Sequence, residues 1–381
     1  MDAKVTELTK ENNLLKFTLE QTNVSIANGI RRIIISDIPC VVFRTIPYEK
    51  NEVTIEVNTT RMNNEIIKQR ISCIPIHIQD IENFPLDDHI VEVDMKNDDE
   101  MIKYLTTEHF KIKNITNGKY LSKEETTKIF PPDPITVDFI DILRLRPGIK
   151  NAKEGEHIKI KMKMIISTAK EDSSFNVAST CAYAATPDEG KIEEVWNSKK
   201  EEMVKSGVDE TQIKKAEKDW RLLDAKRIIK PDSFRFVVES VGQYDEIDIV
   251  KKAIEVMINK IQKLADDINS NKDNILTQSA STIENSYDIK LIGEDYTLGK
   301  VIEFVLYQNH FEKTLSYCGF RKPHPHIDES IIRIGFMKET EESDVVQLII
   351  DVCNTAIQVY KQIYNGVSDS NSEKFLIIFI Y

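Results

Sequence analysis

The sequence contains no apolar run approaching the roughly 20 residues of a bilayer-crossing helix, so a membrane span is not expected. Its first stretch, Met1–Glu11, mixes charges of both signs and lacks the basic start and apolar core of a secretory signal. An intracellular home is favoured. Cysteine is scarce: Cys40, Cys73, Cys181, Cys318 and Cys353 are odd in number, and no two lie closer than 33 positions. That spacing offers no disulfide framework and fits a reducing compartment. Positive charge is also short, with 51 Lys and Arg against 63 Asp and Glu, a net charge of −12. A protein whose main task is gripping a nucleic-acid backbone needs a basic surface to displace counterions. The balance therefore favours protein partners and leaves room only for a local basic patch.

Catalytic signatures are missing too. There is no G-x-x-x-x-G-K-[ST] loop, and Gly293 with Gly299 does not match a dinucleotide fingerprint. No G-x-S-x-G elbow occurs, and no cysteine sits in a nucleophile context. Cys73 and His77 make an isolated C-x-x-x-H, His324 and His326 an isolated H-P-H, and neither has the second pair that a metal site needs. The acidic clusters Asp98-Asp99-Glu100 and Asp266-Asp267 read as solvated charge runs. No catalytic residue, metal ligand or cofactor is expected.

What is present is the composition of a folded protein, 41% hydrophobic and 30% charged. At 381 residues the chain exceeds what one core usually serves, so two or three domains are expected. Four amphipathic helices stand out. Residues 24–36 place Ile26, Ile30, Ile33 and Ile34 on one face, with Asn23 as N-cap and Pro39 preventing extension. Residues 246–267 align Val250, Ala253, Ile254, Met257, Ile261 and Leu264. Residues 297–313 align Leu298, Val301, Ile302, Val305 and Leu306 behind Thr297. Residues 343–363 align Val346, Ile349, Ile350, Cys353, Ile357 and Tyr360.

Each helix follows a short alternating stretch of strand character: Leu15, Phe17 and Leu19; Phe234 and Phe236; Ile289 and Leu291; Ile332 and Ile334. The strand–helix layout thus occurs twice in each half of the chain. Polar residues 269–282 read as a linker between the halves. Residues 43–165 form a different unit, with extended segments Glu52–Val57 and Ile158–Ile166, a loop-like acidic run Asn97–Glu100 and a proline-rich turn Pro131–Pro134. Residues 188–226 are charged, carry both tryptophans and read as a helical insertion. An amphipathic stripe alone marks any core helix. The duplicated layout across a tether is what favours two related modules packed helix against helix about a pseudo-two-fold.

Several stretches resemble the α subunit family of cellular RNA polymerases, which includes bacterial α, archaeal subunits D and L, and the third- and eleventh-largest subunits of eukaryotic RNA polymerase II. Ile26-Ala27-Asn28-Gly29-Ile30-Arg31-Arg32-Ile33 with Asp37-Ile38-Pro39 is similar to the family's first dimerisation helix, A-N-A-L-R-R-I then E-V-P. Asn64 to Ile76 resembles D-E-x-I-A-H-R-I-G-L-I-P-L, with Gln69 for the histidine and Ser72 for the glycine. Ala169–Val177 is a worn K-E-H-A-K-W-S-P-V, and Phe234–Gly242 resembles the strand before the larger partner's last helix. Gly293-Glu294-Asp295-Tyr296-Thr297-Leu298-Gly299 is similar to E-D-H-T-L-G-N of the smaller partner, and Gly319–Pro325 to G-Y-x-x-P-H-P. The cysteine cluster that many relatives carry in their second domain has no counterpart, since residues 74–180 lack cysteine.

The resemblance implies an α+β fold in which two α-type dimerisation modules, fused in one chain, pack as an intramolecular pseudo-dimer. The larger-partner module is expected from residues 1–42 and 166–268, carrying the 188–226 insertion, with a mainly-β inserted domain at 43–165. The smaller-partner module follows the linker, at 283–381. Expected dimerisation residues are Ile30, Ile33, Ile34, Ile254, Met257, Ile261, Thr297, Leu298, Gly299, Ile302, Val346, Ile350 and Ile357. Thr297 would cap its helix, and Gly299 would admit a partner element. Pro323-His324-Pro325 would form a stiff turn between helix and strand.

By the same resemblance, Asn28, Arg31, Arg32 and Arg70 would bind partner subunits. The implied function is a non-catalytic assembly scaffold docking the second-largest and largest polymerase subunits, with small subunits besides and DNA met only through the complex. A regulatory or nucleic-acid-binding protein reusing the fold is the alternative. The fusion, with abundant Ile, Lys and Asn, resembles the polymerase of a large nucleocytoplasmic DNA virus, which implies the host cytoplasm and virion, or alternatively the nucleus.

Overall fold

A computed structural model describes residues 2–11, 13–149 and 154–378. Strands β1 (Lys4–Glu11) and β2 (Leu14–Glu20) lead into helix α1 (Val24–Ser36). Next come β3 (Cys40–Val42), β4 (Val53–Asn58), α2 (Asn64–Ser72), β5 (His89–Lys96), β6 (Lys103–Thr106) and β7 (Lys111–Asn114). They are followed by α3 (Lys123–Ile129), β8 (Asp141–Leu145), β9 (His157–Lys163), β10 (Ile165–Ser167) and β11 (Ala178–Pro187). A helical hairpin, α4 (Glu189–Lys205) and α5 (Glu210–Leu222), precedes β12 (Ile229–Ser240) and α6 (Glu246–Ser270). The last elements are α7 (Lys272–Ile275), β13 (Leu276–Gln278), β14 (Ser286–Ile292), α8 (Tyr296–His310), β15 (Leu315–Arg321), β16 (Glu329–Phe336) and α9 (Glu342–Ile378).

The chain divides into two compact units. The first takes residues up to Ile33, Thr180–Glu239 and from Val250 onward. It holds two four-stranded antiparallel sheets of matching build, ordered β1-β2-β12-β11 and β13-β14-β16-β15. Alternation explains both. In the first sheet Leu15, Phe17 and Leu19 turn inward opposite Phe234, Phe236 and Val238, and Phe17 stacks on its register partner Phe236 at 4.9 Å. In the second, Ile289 faces Ile332, and the flanking pair Asp288 and Arg333 closes a two-pronged ion pair at 2.6 and 2.7 Å.

β1 lies within the stretch that reads in sequence only as mixed charge. It is polar enough to hide its strand character, burying Leu8 and bulging between Thr6 and Thr9, with Glu7 at φ 52°. The expected linker is shorter than its composition implies. α6 runs on to Ser270, α7 adds a turn, and β13 pairs with β14, leaving residues 279–285 as the irregular connection.

The α4–α5 hairpin carries its own small core of Ile192, Trp196, Ile213, Trp220 and Ala225, with the indoles 5.4 Å apart. Asp188 caps α4 by accepting from the Lys191 amide.

The second unit takes Ile34–Ser179 and Ser240–Ile249. Its main sheet is β4-β9-β5-β7, joined by the pairs β6-β8 and β10-β3. Inward residues such as Val91, Val93, Ile158, Ile160 and Met162 meet Ile67 and Ile71 of α2 in one apolar cluster. α2 is capped by Asn63, α3 by a reciprocal Ser122–Glu125 box. The acidic run 97–100 is a loop, yet Asn97 is fully buried, donating to the carbonyls of Met101 and Leu145 at 2.8 Å each.

Candidate functional site

The site is the meeting of α1, α6, α8 and α9 in the first unit. Gly29 lies at its centre. A Cβ there would come 3.0 Å from Met257 Cε of α6, 3.0 Å from the Tyr360 hydroxyl of α9 and 3.5 Å from Val301 Cγ2 of α8. One residue of the first helix therefore touches helices from both halves of the chain. The Ile30, Ile33, Ile254, Met257 and Ile261 side chains are wholly buried, as are Leu298 and Ile302 at 1% exposure. Ile34 is also buried but belongs to the second compact unit.

On α9 four of the six aligned residues, Ile349, Cys353, Ile357 and Tyr360, are buried. Val346 and Ile350 are half-buried on the flank, and Val345, Val352 and Ala356 join the inner positions. The helix packs against both α8 and β1, so its inner face is wider than a single stripe.

Three more expectations are corrected in and after α8. The cap is Asp295, whose carboxylate accepts from the Thr297 amide at 2.8 Å. Thr297 instead offers its hydroxyl oxygen to Arg32 Nε at 2.7 Å. Gly299 is needed within its own module, because a Cβ would stand 2.0 Å from the Phe320 ring of β15. Pro323-His324-Pro325 is an exposed turn between two strands, β15 and β16, rather than between helix and strand.

Arg32 reaches across the modules. Its Nη2 lies 2.5 Å from Asp295 Oδ2, and Lys260 of α6 holds Glu294 at 2.9 and 3.1 Å. Two consecutive acids ahead of α8 thus grip α1 and α6. Sequence reasoning missed this role for Glu294 and Asp295. The available signal was a pair of carboxylates at a helix start, where negative charge is favoured. Burial pushes the Asp295 carboxyl up, but the Thr297 amide and hydroxyl and the Arg32 guanidinium outweigh it, and the group sits below the usual range.

The other expected partner-binding residues are placed differently. Arg31 donates to Asn28 at 2.9 Å, and both are half-buried. Arg70 belongs to the second unit. It is exposed at the end of α2 and donates to the Asp141 carbonyl at 2.8 Å.

The second unit also has a cleft of about 740 Å³ lined by Phe110, Phe130, Phe139 and Leu121. Three of its lining ionisable groups are paired, Glu108 with Lys123 at 2.9 Å and the Tyr120 hydroxyl with Glu92 at 2.8 Å. Among the described residues no group of three or more His, Cys, Asp and Glu side chains could hold a metal ion, and no helix is long and apolar enough to cross a membrane.

A family model described as the RNA polymerase Rpb3/Rpb11 dimerisation domain matches residues 16–261, and a second of the same description matches residues 286–365. The chain is 27% identical over 303 residues to DNA-directed RNA polymerases IV and V subunit 3B of Arabidopsis thaliana, covering 68% of this chain and 89% of that one. It is 25% identical over 299 residues to DNA-directed RNA polymerases I and III subunit RPAC1 of Homo sapiens, covering 68% and 83%. It is 26% identical over 133 residues, 35% of each chain, to a DNA-directed RNA polymerase subunit of Acanthamoeba polyphaga mimivirus.

Proposed function

The chain belongs to the RNA polymerase Rpb3/Rpb11 dimerisation family, and on that footing we propose that it is the non-catalytic assembly scaffold of a DNA-directed RNA polymerase. Two dimerisation domains in tandem make it a fusion of the two partners. The observation that carries the reading is the convergence of α1 and α6 with α8 and α9 on Gly29, closed by Arg32–Asp295 and Lys260–Glu294. Both partners thereby form one platform. Linking them turns a bimolecular encounter into an intramolecular one at an effective concentration of order millimolar, and keeps the pairing one to one.

The platform docks the second-largest subunit and then the largest, with small subunits added, and meets DNA through the complex. Asn28, Arg31 and the exposed Arg70 contribute to docking, and Arg32 is committed first to the internal pairing. The mimivirus relative supports a viral origin. On that reading the polymerase works in the host cytoplasm, or alternatively the nucleus, and is packaged in the virion. Affinity capture of the tagged chain from its native source is the test. Two much larger partners with template-directed nucleotide polymerisation support the scaffold. Capture of the chain alone, or with DNA only, overturns it in favour of a regulatory protein that reuses the fold.

A further inference from the structure

Two residues at the helix crossing are each unfavourable by themselves. Gly29 lies inside α1, where glycine is less stable than alanine because it has more backbone freedom to lose. Tyr360 is wholly buried on α9, and among the described residues its hydroxyl has no hydrogen-bond partner. A buried unpaired hydroxyl is likewise destabilising. The two oddities lie face to face, with the tyrosine oxygen 3.0 Å from the place a Cβ on residue 29 would take. Neither makes sense as a local choice, yet together they are hole and knob.

We infer that Gly29 and Tyr360 are a specificity pair that matches the larger module to its own C-terminal helix, an inference that rests on the scaffold reading. The notch in α1, walled by Met257 and Val301, fits a helix carrying tyrosine at this point. A partner helix with a smaller side chain leaves a void there. With alanine at position 29 the Tyr360 hydroxyl must give way by a few tenths of an ångström. The fused chain is thereby tuned to self-pairing and against exchange with an ordinary module.

The test is a double-mutant cycle in the full chain with Gly29→Ala, Tyr360→Phe and the two combined, read as thermal unfolding midpoints. Tyr360→Phe alone is expected to hold the midpoint or raise it slightly, since no hydrogen bond is lost and an unpaired hydroxyl leaves the core. Gly29→Ala is expected to lower it by about 3 °C in the native background and to raise it in the Tyr360→Phe background, where the methyl group fills the vacated space. A sign reversal supports the pair, and so does solubility of the double variant where Gly29→Ala alone does not fold. An equal shift in both backgrounds, or a double variant as insoluble as the single, overturns it. Failure of the wild-type chain to capture polymerase subunits is a separate outcome, which strikes the scaffold reading and leaves the cycle interpretable.

Discussion

The Arg32 guanidinium and the Asp295 carboxylate, 263 positions apart, meet at 2.5 Å and join the first helix of the larger module to the cap of the first helix of the smaller one. Asp295 has two tasks there, as N-cap of α8 and as ion-pair partner. Both groups are more than a third exposed, so solvent screening keeps the pair itself to a few tenths up to about 1 kcal/mol. Cap loss costs about 1 kcal/mol. The expected order of destabilisation is therefore Asp295→Ala above Asp295→Asn, because asparagine keeps a capping oxygen. The depressed carboxyl pKa sets the pH dependence. A carboxylate stabilised by folding contributes above its unfolded value of about 3.9, and the contribution is lost as pH falls through the lower folded value. Urea unfolding of wild type and Asp295→Asn should thus differ at pH 7 and converge in strong acid. A difference that persists there would assign the effect to shape, not charge.

Both tryptophans of the chain lie in the α4–α5 hairpin, packed against each other and covered by Lys199 at 5.3 Å from the Trp220 ring. Indole fluorescence therefore reports the hairpin almost alone, while circular dichroism is dominated by the other helices. A core of five buried residues is small, and small cores are marginal. Fluorescence-detected urea unfolding is expected to precede the loss of helical dichroism. Replacing residues 189–227 by a short turn between Asp188 and Ile228, whose backbones already hydrogen-bond at 3.1 Å, should leave the main dichroic transition in place. Coincident transitions, or collapse of the deletion variant, would make the hairpin part of the main cooperative unit.

Gly155 approaches the chain at Asn97 so closely that a Cβ would lie 1.7 Å from the Asn97 carbonyl oxygen. The obstacle is backbone, in a segment where Asn97 is fully buried and fastened by its own side chain. Gly155→Ala is expected to cost about 3 kcal/mol or more. Gly118 provides the control: it has φ 70° with open space around it, so Gly118→Ala should cost only about 1–2 kcal/mol of left-handed strain. Comparable midpoints for the two variants would refute the steric account.

How far the sequence could be read depended on how one-sided each element is. α1 is legible to the residue, because isoleucines recur on one face between Asn23 and Pro39. α9 is legible as a helix and in most of its inner face, Ile349, Cys353, Ile357 and Tyr360, but Val346 and Ile350 fall on the flank, since it packs on two elements and no single stripe describes it. β1 is invisible to pattern because it buries little beyond Leu8. Arg32 could be read as a functional position, yet its partner could not. The contact spans the whole insert, and nothing local distinguishes an arginine awaiting another subunit from one answering an aspartate 263 positions away.

Cys73 and Arg70 offer a probe of the docking surface. Burial pushes the thiols of Cys40, Cys181, Cys318 and Cys353 up to about 12, whereas Cys73 is exposed at the end of α2, one helical turn beyond Arg70. Thiol reagents attack the thiolate, so at pH 8 one cysteine should react fast and the other four only on unfolding. Arg70 is exposed, so Arg70→Glu should leave the unfolding midpoint within the few tenths of a kcal/mol typical of surface changes. If this end of α2 docks a large subunit, Arg70→Glu weakens its capture and Cys73 becomes protected in the assembled polymerase. Undiminished labelling of Cys73 in the complex, together with full capture by Arg70→Glu, would remove α2 from the docking surface and leave that role to Asn28 and Arg31.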